Sequence, residues 1–288
     1  FEIKNNTGHT IDLSQWEMNA KDGTPHVKLM GTIAPSAYLV FERTNDKTIT
    51  DVSAHQIYTG DLGNAGEQLK LSYASTTLDQ TPDGAWPAGA TSTRQTMERY
   101  SSREDGAATS NWGTNLGYIK NGTDADGKPI EGTPGEQNSV STLINKGQDI
   151  TNDFTLTADE ERYVVANPLR VYASSTLTIE PGVVIQFYQG GLWVNGEIDA
   201  HGTAENPIVF NSFSKERSGN FWMDNAAATS TFEYAHFENM NEVFALSSSV
   251  LEIRNSDFVN TDGGINVYAG STLNVENTHF ASTTDDVI

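Results

Sequence analysis

No cysteine occurs anywhere in the 288 residues. That excludes disulfides, a thiolate nucleophile and thiolate metal ligation, so the fold must be held by burial. Positive charge is scarce as well: 17 Lys and Arg stand against 38 Asp and Glu, a formal net charge of −21. A field of that sign repels nucleic acid and anionic lipid and attracts cations such as Ca²⁺. No run of 18 apolar residues exists, so the text offers no segment for membrane insertion. Apolar residues almost never recur at helical spacing. The six histidines form no H-E-x-x-H or H-x-H cluster, no serine sits in a nucleophile elbow, and no phosphate loop appears. The text opens on Phe1 rather than Met, with no signal peptide, and reads as a mature product or as a segment of a longer chain.

What is present is β structure. Thr, Asn, Ser and Gly abound while Lys is sparse, a composition suited to strands facing an outside medium, and we expect an extracellular or cell-surface protein of a bacterium. Over residues 1–138, short alternating runs such as "FEIKN", "TIDLSQWEM", "AYLVFE" and "EQLKLSY" are separated by turn residues. Such spacing predicts an antiparallel β-sandwich with Leu13, Trp16, Leu39, Phe41, Leu69 and Leu71 inside. The stretches "FEIKNNTGHTIDLSQWEM", "GDLGNAGEQLKLSY", "AWPAG", "MERY", "NWGTN" and "GTPGEQN" occur in an order that resembles bacterial lamin-tail domains. The resemblance implies an immunoglobulin-like β-sandwich serving as a non-catalytic module of surface or secreted proteins. It departs from the family at the start, where one further strand is expected before "FEIKN".

Charge chemistry concentrates in "NGTDADGKPIEG" (121–132). Asp124, Asp126 and Glu131 flank Gly127, and a D-x-D-G turn can wrap oxygen ligands around Ca²⁺. Lys128 occupies the third acidic position of an EF-hand loop and the final bidentate Glu is missing; the competing reading is a solvated hairpin in which Asp stabilises its own turn. Asn5 and Asn121 fit the glycosylation sequon.

From Gly135 to Asn152 the alternation lapses, and a linker is expected at about 139–152. Beyond it the chain repeats itself. "VLEIRNSDFVN" from Val250 and "TLNVENTHFAS" from Thr272 superpose at an offset of 22, matching Leu251 with Leu273, Asn255 with Asn277 and Phe258 with Phe280. A period near 22 with two or three short strands per copy predicts a parallel β-helix over 153–288, its coils about 4.8 Å apart and equivalent side chains in vertical ladders. "STLTIEPGVVIQF" then places Leu177 and Ile179 against the same positions one coil above and below. In "GGLWVNGEIDAHGTAENPIVFNSF", Leu192, Val194, Ile198, Ala200, Ile208 and Phe210 point inward. The phrase resembles right-handed parallel β-helix segments of bacterial surface proteins. The fold class is therefore all-β: an immunoglobulin-like sandwich followed by a right-handed parallel β-helix.

Three readings of function stay open. The first is a non-catalytic structural or adhesive surface segment. Its partners are other surface proteins, glycans or further copies, since an open β-helix end can stack head to tail into a filament. The second is a polysaccharide hydrolase: Asp262 and the pair Asp285 and Asp286 lie about one coil apart, a spacing at which paired carboxylates suit inverting hydrolysis, although no downstream His and Arg set accompanies them. The third is a carbohydrate-binding module in which Trp193, Tyr188 and Trp222 form an outer sugar-stacking strip. Trp193 lies between inward Leu192 and Val194 and so projects outward. His236 and His279 are expected on the exposed face, solvated rather than ligating.

Overall fold

The computed structural model describes residues 1–214, 216–224 and 228–284. It is all-β, with a few short 3₁₀ turns, and divides into two compact units, Phe1–Ser141 and Thr142–Ile288. Among the described residues no helix is long and apolar enough to cross a membrane.

In the first unit, a four-stranded antiparallel sheet runs in the order His26–Lys28, Trp16–Ala20, Leu69–Tyr73, Thr76–Gln80. A second sheet pairs Glu2–Lys4 antiparallel and Gln56–Tyr58 parallel with Tyr38–Arg43. Leu13, Met18, Val27, Leu29, Phe41 and Leu69 form the buried core, with Trp16, Leu39 and Leu71 half-buried against it. Of the six residues expected inside, Leu13, Phe41 and Leu69 are buried and Trp16, Leu39 and Leu71 half-buried, because each strand has one face on this core.

Long loops carry the rest of the unit, and they are fastened by buried polar groups. Glu98 is 4 % exposed and accepts hydrogen bonds from Asn115 Nδ2 at 2.7 Å, Thr133 Oγ1 at 3.0 Å, Ser139 Oγ at 2.5 Å and the Val140 amide at 3.3 Å. Glu42 accepts the amides of Thr48 and Ile49. Buried carboxylates survive only when so satisfied. The sequon residue Asn5 belongs to the same scheme: it is 2 % exposed and donates to the carbonyls of His9, Ile33 and Ala34, which withdraws its amide from glycan attachment in the folded state.

The second unit is a parallel β-helix of about six turns. Its first sheet stacks Phe154–Leu156, Thr176–Ile179, Glu197–His201, Thr229–Glu233, Val250–Arg254 and Thr272–Glu276, each parallel to the next. A second sheet of six strands and a third of five complete each coil. Leu251 lies beside Leu273, and Leu177 lies between Phe154 and Ile198. The expected ladders are therefore present. Phenylalanines fill the column: Phe210 stacks on Phe237 at 5.0 Å, Phe237 on Phe258 at 4.7 Å and Phe258 on Phe280 at 4.6 Å. These separations match the coil rise, so ring stacking and strand pairing share one repeat.

Two local features let coils close. Asn255 and Asn277 adopt left-handed φ of 52° and 49°, and Asn277 Nδ2 donates to Asn255 Oδ1 at 3.3 Å. Asn tolerates this region because its short polar side chain bonds locally. At Gly196 a Cβ would come within 2.2 Å of the carbonyl oxygens of Tyr172 and Ser175, so only glycine lets that corner sit on the coil before it.

The segment expected as a linker lies largely inside the second unit. Ile144 and Ile150 are 1 % exposed in the β-helix core, Leu143 bridges Val164, and Ile150 bridges Val171 in parallel register. The few apolar residues of this polar run show no period, yet Ile144 and Ile150 each fill an inward position ahead of the first full coil. The coil period also stretches where the turn 202–207 and the loop 213–220 are longer than their later counterparts: Ala200 pairs with Phe232, an offset of 32, whereas Leu251 to Leu273 is 22.

Candidate functional site

The third sheet of the β-helix comprises Leu169–Val171, Leu192–Val194, Phe221–Met223, Phe244–Leu246 and Ile265–Val267. In the first four strands the outer residues are buried and the middle one faces out, as alternation requires. Register places the middle residues in one vertical row: Arg170, Trp193, Trp222, Ala245 and Asn266. Trp193 is 43 % exposed, and its ring lies 4.7 Å from that of half-buried Trp222, tilted by 38°. The Arg170 guanidinium lies 6.0 Å from the Trp193 ring centroid and 5.9 Å from that of Tyr172, itself 43 % exposed. Cation–π attraction holds the arginine against the strip with its N–H donors still available to solvent.

Past Trp222 the row steps down to Ala245. Asn266, hydrogen-bonded to Glu242, follows, and Asn195 Nδ2 donates to the Asp224 carbonyl at 3.2 Å. The result is an indole shelf, bordered by a cation above and by amide and carboxylate groups below. Such a surface can receive the C–H face of a flat, hydroxylated ring while its rim takes hydroxyl or carboxylate contacts.

Of the three aromatics singled out in the sequence, the fold brings Trp193 and Trp222 together. Tyr188 sits in the turn between the second and third sheets, its ring edge-on to Phe213 at 5.6 Å. Arg170 and Tyr172 belong to the strip and were not anticipated. The signal was there: "LRVY", "LWVN" and "FWMD" are the same phrase in successive coils.

The remaining candidates lie elsewhere. Asp124 Oδ1 accepts the amides of Asp126 at 2.9 Å and Lys128 at 2.8 Å, bonds that hold its carboxyl below the usual range, the Lys128 amide most of all. Its carboxylate thus stabilises its own turn, Asp126 is exposed, and Glu131 pairs with Lys120. Among the described residues no three His, Asp or Glu side chains gather where they could hold a metal ion. Asp262 accepts from Arg217 Nη1 at 3.1 Å and from the Thr284 hydroxyl, while Arg217 also donates to Thr284 and Asn260. Arg217 comes from the loop 213–220, so Asp262 fastens an inserted loop to later coils. Asp285 and Asp286 lie outside the described residues. His279 is exposed and His236 half-exposed, on the outer face of the second sheet in register with Asp257.

Comparison with known proteins adds little. No protein-family profile matches the chain. No solved structure matches it. Protein bark beetle of Drosophila melanogaster is 36 % identical over 94 residues, which is 32 % of this chain and 3 % of that protein. The chain therefore spans a very small part of that relative, and the likeness assigns no activity here.

Proposed function

We propose that this chain is a non-catalytic structural and adhesive segment of a secreted or cell-surface protein, and that it holds glycans on the outer face of the third sheet. The supporting observation is the row Arg170–Trp193–Trp222, an exposed aromatic surface on a rigid ladder. Exposed aromatic patches of this kind are uncommon without a partner, and a rigid shelf loses little entropy on binding. The hydrolase reading is weaker, because Asp262 is engaged by Arg217 and Thr284. In the same proposal the first unit is a lamin-tail relative with an immunoglobulin-like sandwich, and the β-helix is right-handed as in bacterial surface proteins.

The test is a glycan array and insoluble-polysaccharide retention with the full chain. Retention without release of reducing ends is expected. The Trp193→Ala/Trp222→Ala double variant should lose at least tenfold in affinity, as truncation of central aromatic anchors does. Retention unchanged in the double variant, or sugar release, overturns the reading.

A further inference from the structure

The cation at the upper end of the third-sheet strip stands unpaired. In a chain of 17 Lys and Arg against 38 Asp and Glu, an acid is within reach of most basic side chains. Arg43 pairs with Asp61, Arg99 with Asp79, Arg217 with Asp262 and Arg254 with Glu252. Arg170 is different. It is exposed, and among the described residues no carboxylate lies within ion-pair distance of its guanidinium, which rests against the rings of Tyr172 and Trp193.

An acid is nevertheless at hand. Ile150 pairs in parallel with Val171, which sets Asp149 opposite Arg170 at the head of the row. Asp149 Oδ1 accepts the Arg170 main-chain amide at 2.9 Å. This carboxylate thus caps the backbone, and the guanidinium lies on the rings instead. A guanidinium offers five N–H donors in a planar fork that matches a carboxylate, and one already held on aromatic rings loses little freedom in using it.

Two features limit what can be held. No other Lys or Arg occurs in the five strands of this sheet. Exposed carboxylates border the strip, Asp149 before Arg170 and Asp224 just beyond the strand of Trp222. One cation between two acids, in a chain of net charge −21, takes a single anionic group and repels a run of them.

We propose that the glycan held by this strip carries an isolated carboxylated sugar, its carboxylate in the Arg170 fork and its neighbouring ring face on Trp193 and Trp222. The proposal rests on the glycan-binding reading of the same strip and adds the class of ligand. A neutral sugar leaves the fork to water, whereas a carboxylate forms charge-assisted, paired hydrogen bonds there.

The experiment uses the full chain on an array of uronate- and sialate-bearing oligosaccharides, each printed beside its carboxyl-reduced counterpart, with a polyuronate and sulfated glycans alongside. The acid form of one of these two sugar types should bind about tenfold more tightly than its reduced counterpart. The polyuronate should bind less well than the oligosaccharide with one acid, and added salt should shrink the preference. Arg170→Gln should bring the acid-to-neutral ratio to about one, and Arg170→Lys, which keeps the charge without the fork, should fall between. Asp149→Asn retains an oxygen to cap the Arg170 amide and should raise the ratio. Equal binding of acid and reduced forms, with both lost in Trp193→Ala/Trp222→Ala, overturns this proposal and leaves the glycan-binding reading intact. A preference that survives Arg170→Gln, or one for sulfated sugars alone, also overturns it. Binding of no glycan at all removes both.

Discussion

The two units solve the same problem in opposite ways. Every buried carboxylate among the described residues, Glu42, Glu67 and Glu98, lies in the first unit. Among the described residues, the fully buried polar side chains of the second unit are serines and threonines, such as Ser230 and Ser256, whose hydroxyls accept the amides of Ile198 and Ala235 at corners. In the β-helix each strand's backbone is satisfied by the coils above and below, so the interior can be dry and aromatic. In the first unit long irregular loops leave amides without ladder partners, and carboxylates reach in to accept them. The lesson is that regular stacking removes the need for buried charge, whereas loop-rich packing creates it.

The sharpest way to break this contrast is at the phenylalanine column. Phe237 is fully buried and stacked between Phe210 and Phe258, so Phe237→Ala should cost about 3–5 kcal/mol. Two transitions are expected in calorimetry, with only that of the β-helix lowered; an equal shift in both would mean the units do not unfold separately.

A smaller effect probes the polar unit through pH. Burial, the largest cause, pushes the Glu2 carboxyl up to about 7 from 4.5, while the Gly135 amide at 2.9 Å partly opposes the rise. The folded state therefore holds this proton over a range where the unfolded state has released it. Stability of the first unit should be greatest below pH ~4.5, fall as pH rises to about 7 and be flat beyond, by at most roughly 3 kcal/mol. Denaturant melts across that range should show the slope, and Glu2→Gln should flatten it; an unchanged slope would move the titration to another group.

The least effect concerns the β-helix corner. Tyr234 adopts φ of 47° where later coils use Asn255 and Asn277. Tyr234→Asn should stabilise the β-helix by about 0.5 kcal/mol, since Asn tolerates the left-handed region better than a bulky residue. A loss measured in urea would show that the tyrosine ring packs more favourably than its backbone is strained.

Legibility in the sequence followed the same division. The ladder Leu251–Leu273 and the outward Trp193 were readable because a coil repeats the same in–out decision every 22 or so residues. Ile144 and Ile150 were not, since one turn contains no second copy against which to align it. Arg170 was hidden for a different reason: a lone charged residue between apolar neighbours reads as solvated surface, and only its register with Trp193 makes it part of a strip.

By itself, then, the order of amino acids determined that the chain is all-β, that its second part coils, and which faces point inward, because alternation and period are properties of neighbours along the chain. Tertiary structure alone decided that Trp193 and Trp222 become one surface and that Arg217 from an inserted loop holds Asp262. Those are meetings between distant residues, fixed by register and loop path, and no local pattern encodes the distance between two side chains that the backbone brings together only after it has folded.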